Sequence, residues 1–211
     1  MNFTGPSSNC SLCERLCTFR TINQQKFPHY YNAPVPAFGD LSAEILIVGL
    51  APGLHGANQT GRPFTNDYAG DILYPILKEN GFAEGTYKKI KNDGFKLINV
   101  RITNAVRCVP PENKPTTTEE KTCRNFLQQE IAAMPNLKII LSLGTISHKN
   151  VLQALGLKQS YAKFTHGAVH SLPNNQLRLV DSYHTSRYNI NTGVLSYEMF
   201  DEIIKKLKGL L

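Results

Sequence analysis

Apolar positions along the chain recur with two periods. Ile45-Leu-Ile-Val48 is a short continuous run with the length and β-branching of a buried strand, and the reading extends it to about Glu44–Gly49. Lys96–Arg101 and Lys138–Leu143 repeat the pattern. Between these runs the apolar residues move to helical spacing. Asp71-Ile-Leu-Tyr-Pro-Ile-Leu-Lys78 belongs to a helix from about Tyr68 to Glu79, stopped by Asn80-Gly81. Thr116-Thr-Thr-Glu-Glu120 offers an N-cap with acids in the first turn, opening a helix from about Thr118 to Met134. A further helix runs from Gly144 to about Leu155. His170–Leu172 and Gln176–Asp181 flank Pro173-Asn-Asn175 as a hairpin ending in a fourth core strand, and Thr192–Leu210 forms the closing helix. Residues 1–43 lack periodicity and carry scattered prolines, which predicts an extended, Cys-containing arm packed on the rest. Strands alternating with helices predict a three-layer α/β/α sandwich around a mainly parallel four-stranded sheet, one domain over residues 1–211.

The stretch from Gly49 to Asp67 interrupts this alternation. It holds four glycines, two prolines, His55, Arg62 and Phe64, and it joins the first strand to the first core helix. Open α/β sheets bind ligands outside the carboxyl ends of their strands, so this loop lies where chemistry is expected. Its glycines let backbone approach a flat or anionic ligand closely. It fits neither the GxGxxG nor the P-loop pattern, which weighs against an ordinary nucleotide-binding enzyme.

Composition narrows the partner. A formal net charge of +7 suits a polyanion, although Lys205-Lys206-Leu-Lys208 reads as the solvated face of the last helix. No apolar run reaches about 18 residues, and the first ten residues lack a basic segment followed by an apolar one. The expected address is the cytoplasm, with nucleoid association when DNA is bound, and the expected state is a monomer.

Five cysteines in such a chain argue for metal ligation over a disulfide framework. Cys10-x2-Cys13 is a chelating pair, and Cys108 and Cys123 bracket a Pro-containing segment. Zinc more often uses two short knuckles, whereas one knuckle plus two dispersed cysteines suits a cubane iron–sulfur cluster. Cys17 reads as a small buried thiol that could stand in for Cys10 or Cys13. A second constellation, Ser182-Tyr-His-Thr-Ser-Arg-Tyr-Asn189, follows the last core strand. His184 there can donate to developing negative charge, and Arg187 or Tyr188 can enter a groove or wedge a base stack.

Taken together, Gly49-Leu-Ala-Pro-Gly53, His55 to Phe64, Thr103-Asn-Ala-Val-Arg-Cys-Val-Pro-Pro111, Tyr183 to Asn189 and the four cysteines resemble the iron–sulfur uracil-DNA glycosylases, in their family 5 (type b) branch. The likeness runs from Cys10 to the closing helix. It implies one [4Fe-4S] cluster on Cys10, Cys13, Cys108 and Cys123, structural in role, and release of uracil or other deaminated bases from DNA to leave an abasic site. By the same resemblance Phe64 stacks on a flipped base, and main chain around Gly49, Ala51 and Gly53 lines the pocket. Asn104 contacts the base or the attacking water, and His184 stabilises the departing base. The first-strand loop offers no acid, and the branch uses the position matching Asp71 instead. Asp71 also suits a helix first turn for dipole reasons, and Asp67 is the alternative water-positioning acid. Expected DNA contacts are His55, Arg62, Arg187 and Tyr188, with Arg107, Lys114, Lys121 and Arg124 as a further phosphate-contact surface. Thr185 stands where relatives carry Pro, which predicts a looser loop after His184. No motif suggests a lysine nucleophile, so strand cleavage is not expected. The alternative reading is a non-catalytic nucleic-acid binder that retains the pocket.

Overall fold

The computed structural model describes residues 3–173 and 177–211. Its elements follow in chain order as α1 (Glu14–Lys26), β1 (Ile45–Gly49), α2 (Ala57–Thr60), α3 (Tyr68–Glu79), β2 (Ala83–Glu84), β3 (Lys96–Leu97), β4 (Val100–Asn104), α4 (Thr117–Ala132), β5 (Ile139–Leu143), α5 (Thr145–Ala154), β6 (Val169–Ser171), β7 (Arg178–Ser182), α6 (Arg187–Asn191) and α7 (Tyr197–Leu210).

The central sheet has the order β4-β1-β5-β7-β6, with four parallel strands and β6 antiparallel on the edge. The four expected strands are thus its parallel core, and the hairpin partner adds a fifth. Turn residues Asn174 and Asn175, with Gln176, lie outside the described residues. Every residue of β1, β4 and β5 is buried, as strands covered on both faces require. Ile45, Ile47, Ile139, Leu141 and Val180 pack with α3 and α7, while Leu46, Val48, Ile140 and Leu179 pack with α4 and α5. The alternation of side chains along each strand therefore makes the two outer layers.

Three boundaries differ from the expected ones, each for a local reason. The second strand begins at Val100, because Asn99 takes a left-handed φ of 56° and uses its side chain on Glu44. Lys96–Leu97 instead pairs with Ala83–Glu84 in a separate ribbon. The shift carries the strand on to Asn104, opposite Gly49 at the carboxyl edge. The closing helix starts at Tyr197 instead of about Thr192, since Gly193 turns at φ 71° and Ser196 caps α7 by accepting from the Met199 N–H at 3.1 Å.

The arm is the larger correction. Residues 14–26 are helical, and the sequence conceals this because α1 buries only Leu16 and Asn23 and so has no amphipathic period. It is held from outside: Leu16 packs with Val106 and Cys123, and Arg15 donates to both carboxylate oxygens of Glu119 at 2.8 Å. The rest of the arm is irregular, with several turns, and Phe38 pairs with Ile102 along the outer edge of β4. α4 opens with the expected capping box, Thr116 and Glu119 each accepting the other's backbone N–H.

Candidate active site

The loops after β1, β4, β5 and β7 meet at the carboxyl edge of the sheet. Gly49 and Asn104 face each other in register there. A Cβ on Gly49 would meet the Phe64 ring at 2.5 Å and would overlap Asn104 Oδ1. Only a glycine lets these two side chains close on the end of β1. Phe64 is buried and held at φ 53°, a strained backbone for a bulky residue and a mark of local constraint. Its ring lies 6.0 Å from the His184 ring, tilted by 31°. Burial lowers the His184 pKa to about 4, so the imidazole is neutral at neutral pH.

The backbone around the pocket is committed to the scaffold. The Gly49 and Leu50 carbonyls accept from the N–H groups of Ala105 and Val106, both at 2.9 Å. Ala51 packs towards the cysteine cluster. Gly53 admits Asp67, whose Oδ1 would lie 2.6 Å from a Cβ there. Asp67 occupies the N-cap position of α3 without a side-chain bond to that helix; its carboxylate instead accepts from the Ala57 N–H at the start of α2 at 3.1 Å. Burial, with Asp71 nearby, raises its pKa to about 6. Asp71 lies in the first turn of α3, and Lys89 Nζ donates to its Oδ2 at 2.9 Å. Its Oδ1 is shielded from solvent with no hydrogen-bond partner among the described residues. Pro75 has no N–H to give the Asp71 carbonyl, so this turn of α3 is also locally freed.

Thr185 reverses the expectation of a loose loop. It is fully buried, and its hydroxyl donates to the Ala69 carbonyl at 3.2 Å. The segment after His184 is thereby tied to the turn of α3 that carries Asp71. Arg187 and Tyr188 stand on α6 at the rim: the Arg187 guanidinium lies 5.2 Å from the Tyr68 ring centroid, and Tyr188 is 73% exposed. His55 is exposed and meets the Tyr30 hydroxyl at 2.9 Å.

Two expected DNA contacts are corrected. Arg62 is only 3% exposed. It makes a two-pronged ion pair with Asp93, both contacts at 2.8 Å, donates to Thr65 Oγ1 at 2.7 Å, and sits against the rings of Phe38, Tyr74 and Tyr87. Arg107 is 1% exposed and pairs with Glu130, which also receives Arg101 and Thr103. Both arginines are internal structure. Lys114 and Lys121 are exposed, whereas Arg124 turns to Asn150 at 3.2 Å.

All five cysteines are free and line one cavity between α1, the segment after β4 and α4. Among the described residues no three of these thiols lie within 4.8 Å of one another, whereas a tetrahedral zinc site brings its sulfurs to about 3.8 Å. Burial and the neighbouring thiols push Cys13 up to about 11 and Cys108 up to about 12. Cys123 Sγ accepts from the Arg107 N–H, and Cys17 donates to the Cys10 carbonyl, both at 3.3 Å.

Sequence reasoning missed Lys89 and Asp93, which lie in an unremarkable Lys-rich stretch with no motif spacing. It also missed the buried group around Asp181, which accepts from Ser142 at 2.7 Å and meets His148 at 2.7 Å and His170 at 2.9 Å. With His148 Nε2 bonded to the Ala162 carbonyl, this set is internally satisfied.

Residues 36–208 match the Uracil DNA glycosylase superfamily. The chain is 41% identical over 206 residues to the type-5 uracil-DNA glycosylase of Thermus thermophilus, covering 95% of this chain and 93% of that one. It is 35% identical to the type-5 enzyme of Pyrobaculum aerophilum over 97% and 90% of the two chains, and 37% identical to that of Mycobacterium leprae over 96% and 92%.

Proposed function

The chain belongs to the type-5 branch of the uracil DNA glycosylase superfamily, and on that premise we propose that it is a uracil-DNA glycosylase of base excision repair. The observation that carries the reading is the cluster of Gly49, Asn104, Phe64 and His184 at the carboxyl edge of the sheet. The target bond is buried in stacked DNA, so the nucleotide must be flipped, and Phe64 supplies the stacking face. Asn104 offers an amide to the base edge. As the glycosidic bond breaks, its electron pair passes to the uracil ring, and neutral His184 donates to the oxygen where charge collects. Asp71 stabilises positive charge on the sugar, orients the attacking water and takes its proton as the new C–O bond forms. Raised in pKa and already bonded to Ala57, Asp67 serves the loop.

Cys10, Cys13, Cys108 and Cys123 would hold a [4Fe-4S] cluster. Support comes from the convergence of these four thiols, with Cys17, on one apolar cavity. Bound there, the group supplies a cross-link between the α1 arm and α4, outside the reaction. The exposed rim of His55, Arg187 and Tyr188 would meet the duplex, with a single chain acting alone. No helix among the described residues is long and apolar enough to cross a membrane.

The test is an end-labelled duplex carrying one uracil, with matched hypoxanthine and undamaged controls. Breaks that require uracil and appear only after alkali are expected, and Asp71→Asn should reduce them by about 10²-fold or more without weakening DNA binding. A folded, DNA-binding preparation that makes no such breaks would leave the binder reading in place.

A further inference from the structure

The loop from Gly85 to Gly94 lies beside the site and is heavily cross-linked for an exposed segment. Asp93, fully shielded at its side chain, accepts from the N–H groups of Lys88 at 2.9 Å and Phe95 at 3.0 Å. The same carboxylate receives both terminal nitrogens of buried Arg62. Burial alone would raise the Asp93 pKa, but these four donors outweigh it and bring the value to about 2. Tyr87 stacks into the interior against Tyr74, ring centroids 4.6 Å apart. Lys89 is fixed by this frame at φ 63°, a left-handed backbone uncommon for lysine.

This frame brings Lys89 Nζ to Asp71 Oδ2, while the Tyr87 hydroxyl accepts from the Asn66 N–H at 3.1 Å and donates to the Phe64 carbonyl at 3.4 Å. An exposed ion pair contributes only ~0–1 kcal/mol, too little to hold a loop. Causation therefore runs the other way: the anchored loop holds the pair. Asp71 is left asymmetric, with Oδ2 taken and Oδ1 buried without a donor. A buried carboxylate oxygen without a donor is costly in the free protein and asks for one in the complex.

We propose that Lys89 is a positioning residue for Asp71, engaging Oδ2 so that Oδ1 alone is presented to the attacking water. The inference rests on the reading of Asp71 as the water-orienting acid. Arg62 and Asp93 serve it indirectly, as the anchor of the loop.

The test compares Lys89→Met, Lys89→Arg and the neighbouring Lys88→Met in the full chain. Two quantities are measured: the single-turnover rate at saturating uracil DNA, and Kd for a duplex bearing non-hydrolysable 2′-fluoro-2′-deoxyuridine. Lys89→Met should slow the rate about tenfold, a part of the 10²–10⁴ that a positioned base contributes, with Kd changed less than about twofold. Lys89→Arg should recover most of the rate, and Lys88→Met should leave it unchanged. In an Asp71→Asn background, Lys89→Met should have no further effect. An unchanged rate with weakened Kd would make Lys89 a phosphate contact and overturn the proposal, as would equal losses in both backgrounds. A wild-type rate for Asp71→Asn alone would show instead that the reading of Asp71 had failed, and the role of Lys89 with it.

Discussion

Replacing Arg62 separates a buried anchor from a DNA contact. In Arg62→Met the Asp93 carboxylate, fully shielded at its side chain, keeps two backbone donors and loses its paired cation. The Nε bond to Thr65 and the bond to the Lys91 carbonyl go as well. So does the cationic contact with three rings whose centroids lie 5.0 to 5.7 Å from the guanidinium carbon. Breaking one partner of a buried pair costs about 3–5 kcal/mol. For a chain of this size each kcal/mol lowers Tm by about 2–4 °C, so a fall of roughly 10 °C is expected. Arg62→Lys keeps the charge but not the fork, and should fall between the two proteins. The assay is thermal unfolding by circular dichroism, beside a salt titration of binding to undamaged duplex. The slope of log K against log salt should be unchanged, because Arg62 reaches no phosphate. A Tm within about 2 °C of wild type, with that slope reduced by about one, would refute the reasoning.

Three further outcomes follow from the same geometry. Gly49→Ala places a methyl 2.5 Å from the Phe64 ring and into Asn104, so uracil release should fall at least about tenfold with ~1–3 kcal/mol of stability lost; a normal rate would show the cluster is not the base site. Burial alone would lower the His148 pKa, but its bonds to Asp181 and the Ala162 carbonyl outweigh this and raise it. The stability it contributes is therefore complete below its unfolded value of about 6.5 and is lost as pH rises through the raised folded value. Urea midpoints from about pH 6 to about pH 9 should decline in wild type and flatten in His148→Leu; parallel profiles would count against the pair. Cys108→Ser should lose iron and brown colour in the purified protein while Cys17→Ser keeps both, as metal analysis and absorption spectra would check.

The fold was legible where burial on both faces forces continuous apolar runs, as in Ile45–Val48, or where caps mark helix ends, as at Thr116 and Asn80. It was hidden where stability comes from elsewhere. α1 has no apolar face of its own and depends on Glu119 and on residues after β4, contacts a hundred positions away. The start of β4 turns on one residue, Asn99, whose left-handed backbone is stabilised by a hydrogen-bonded exchange with Glu44.

The site divides in the same way. His184 could be placed at the carboxyl edge from the strand pattern, since a parallel sheet sends its loops to one edge, whereas Asn104 rests on the family resemblance alone, because the expected strand stops at Arg101. Charge could not be placed so easily. Arg62 and Lys89 both read as cations in basic surroundings, and a sequence assigns such residues to solvent or to phosphate by default. The structure inverts the expectation for Arg62, because Asp93 lies thirty-one positions away in a loop with no periodic signal. Thr185 makes the same point for rigidity. A proline stiffens a loop through its own backbone and is visible in the sequence, whereas Thr185 stiffens it by a bond to Ala69 that only the fold creates. What joins these cases is that α3 receives both long-range ties, Thr185 on Ala69 and Lys89 on Asp71, within its first turn. That turn is therefore braced from the His184 loop on one side and from the Arg62-anchored loop on the other, which is the rigidity that the role proposed for Asp71 requires.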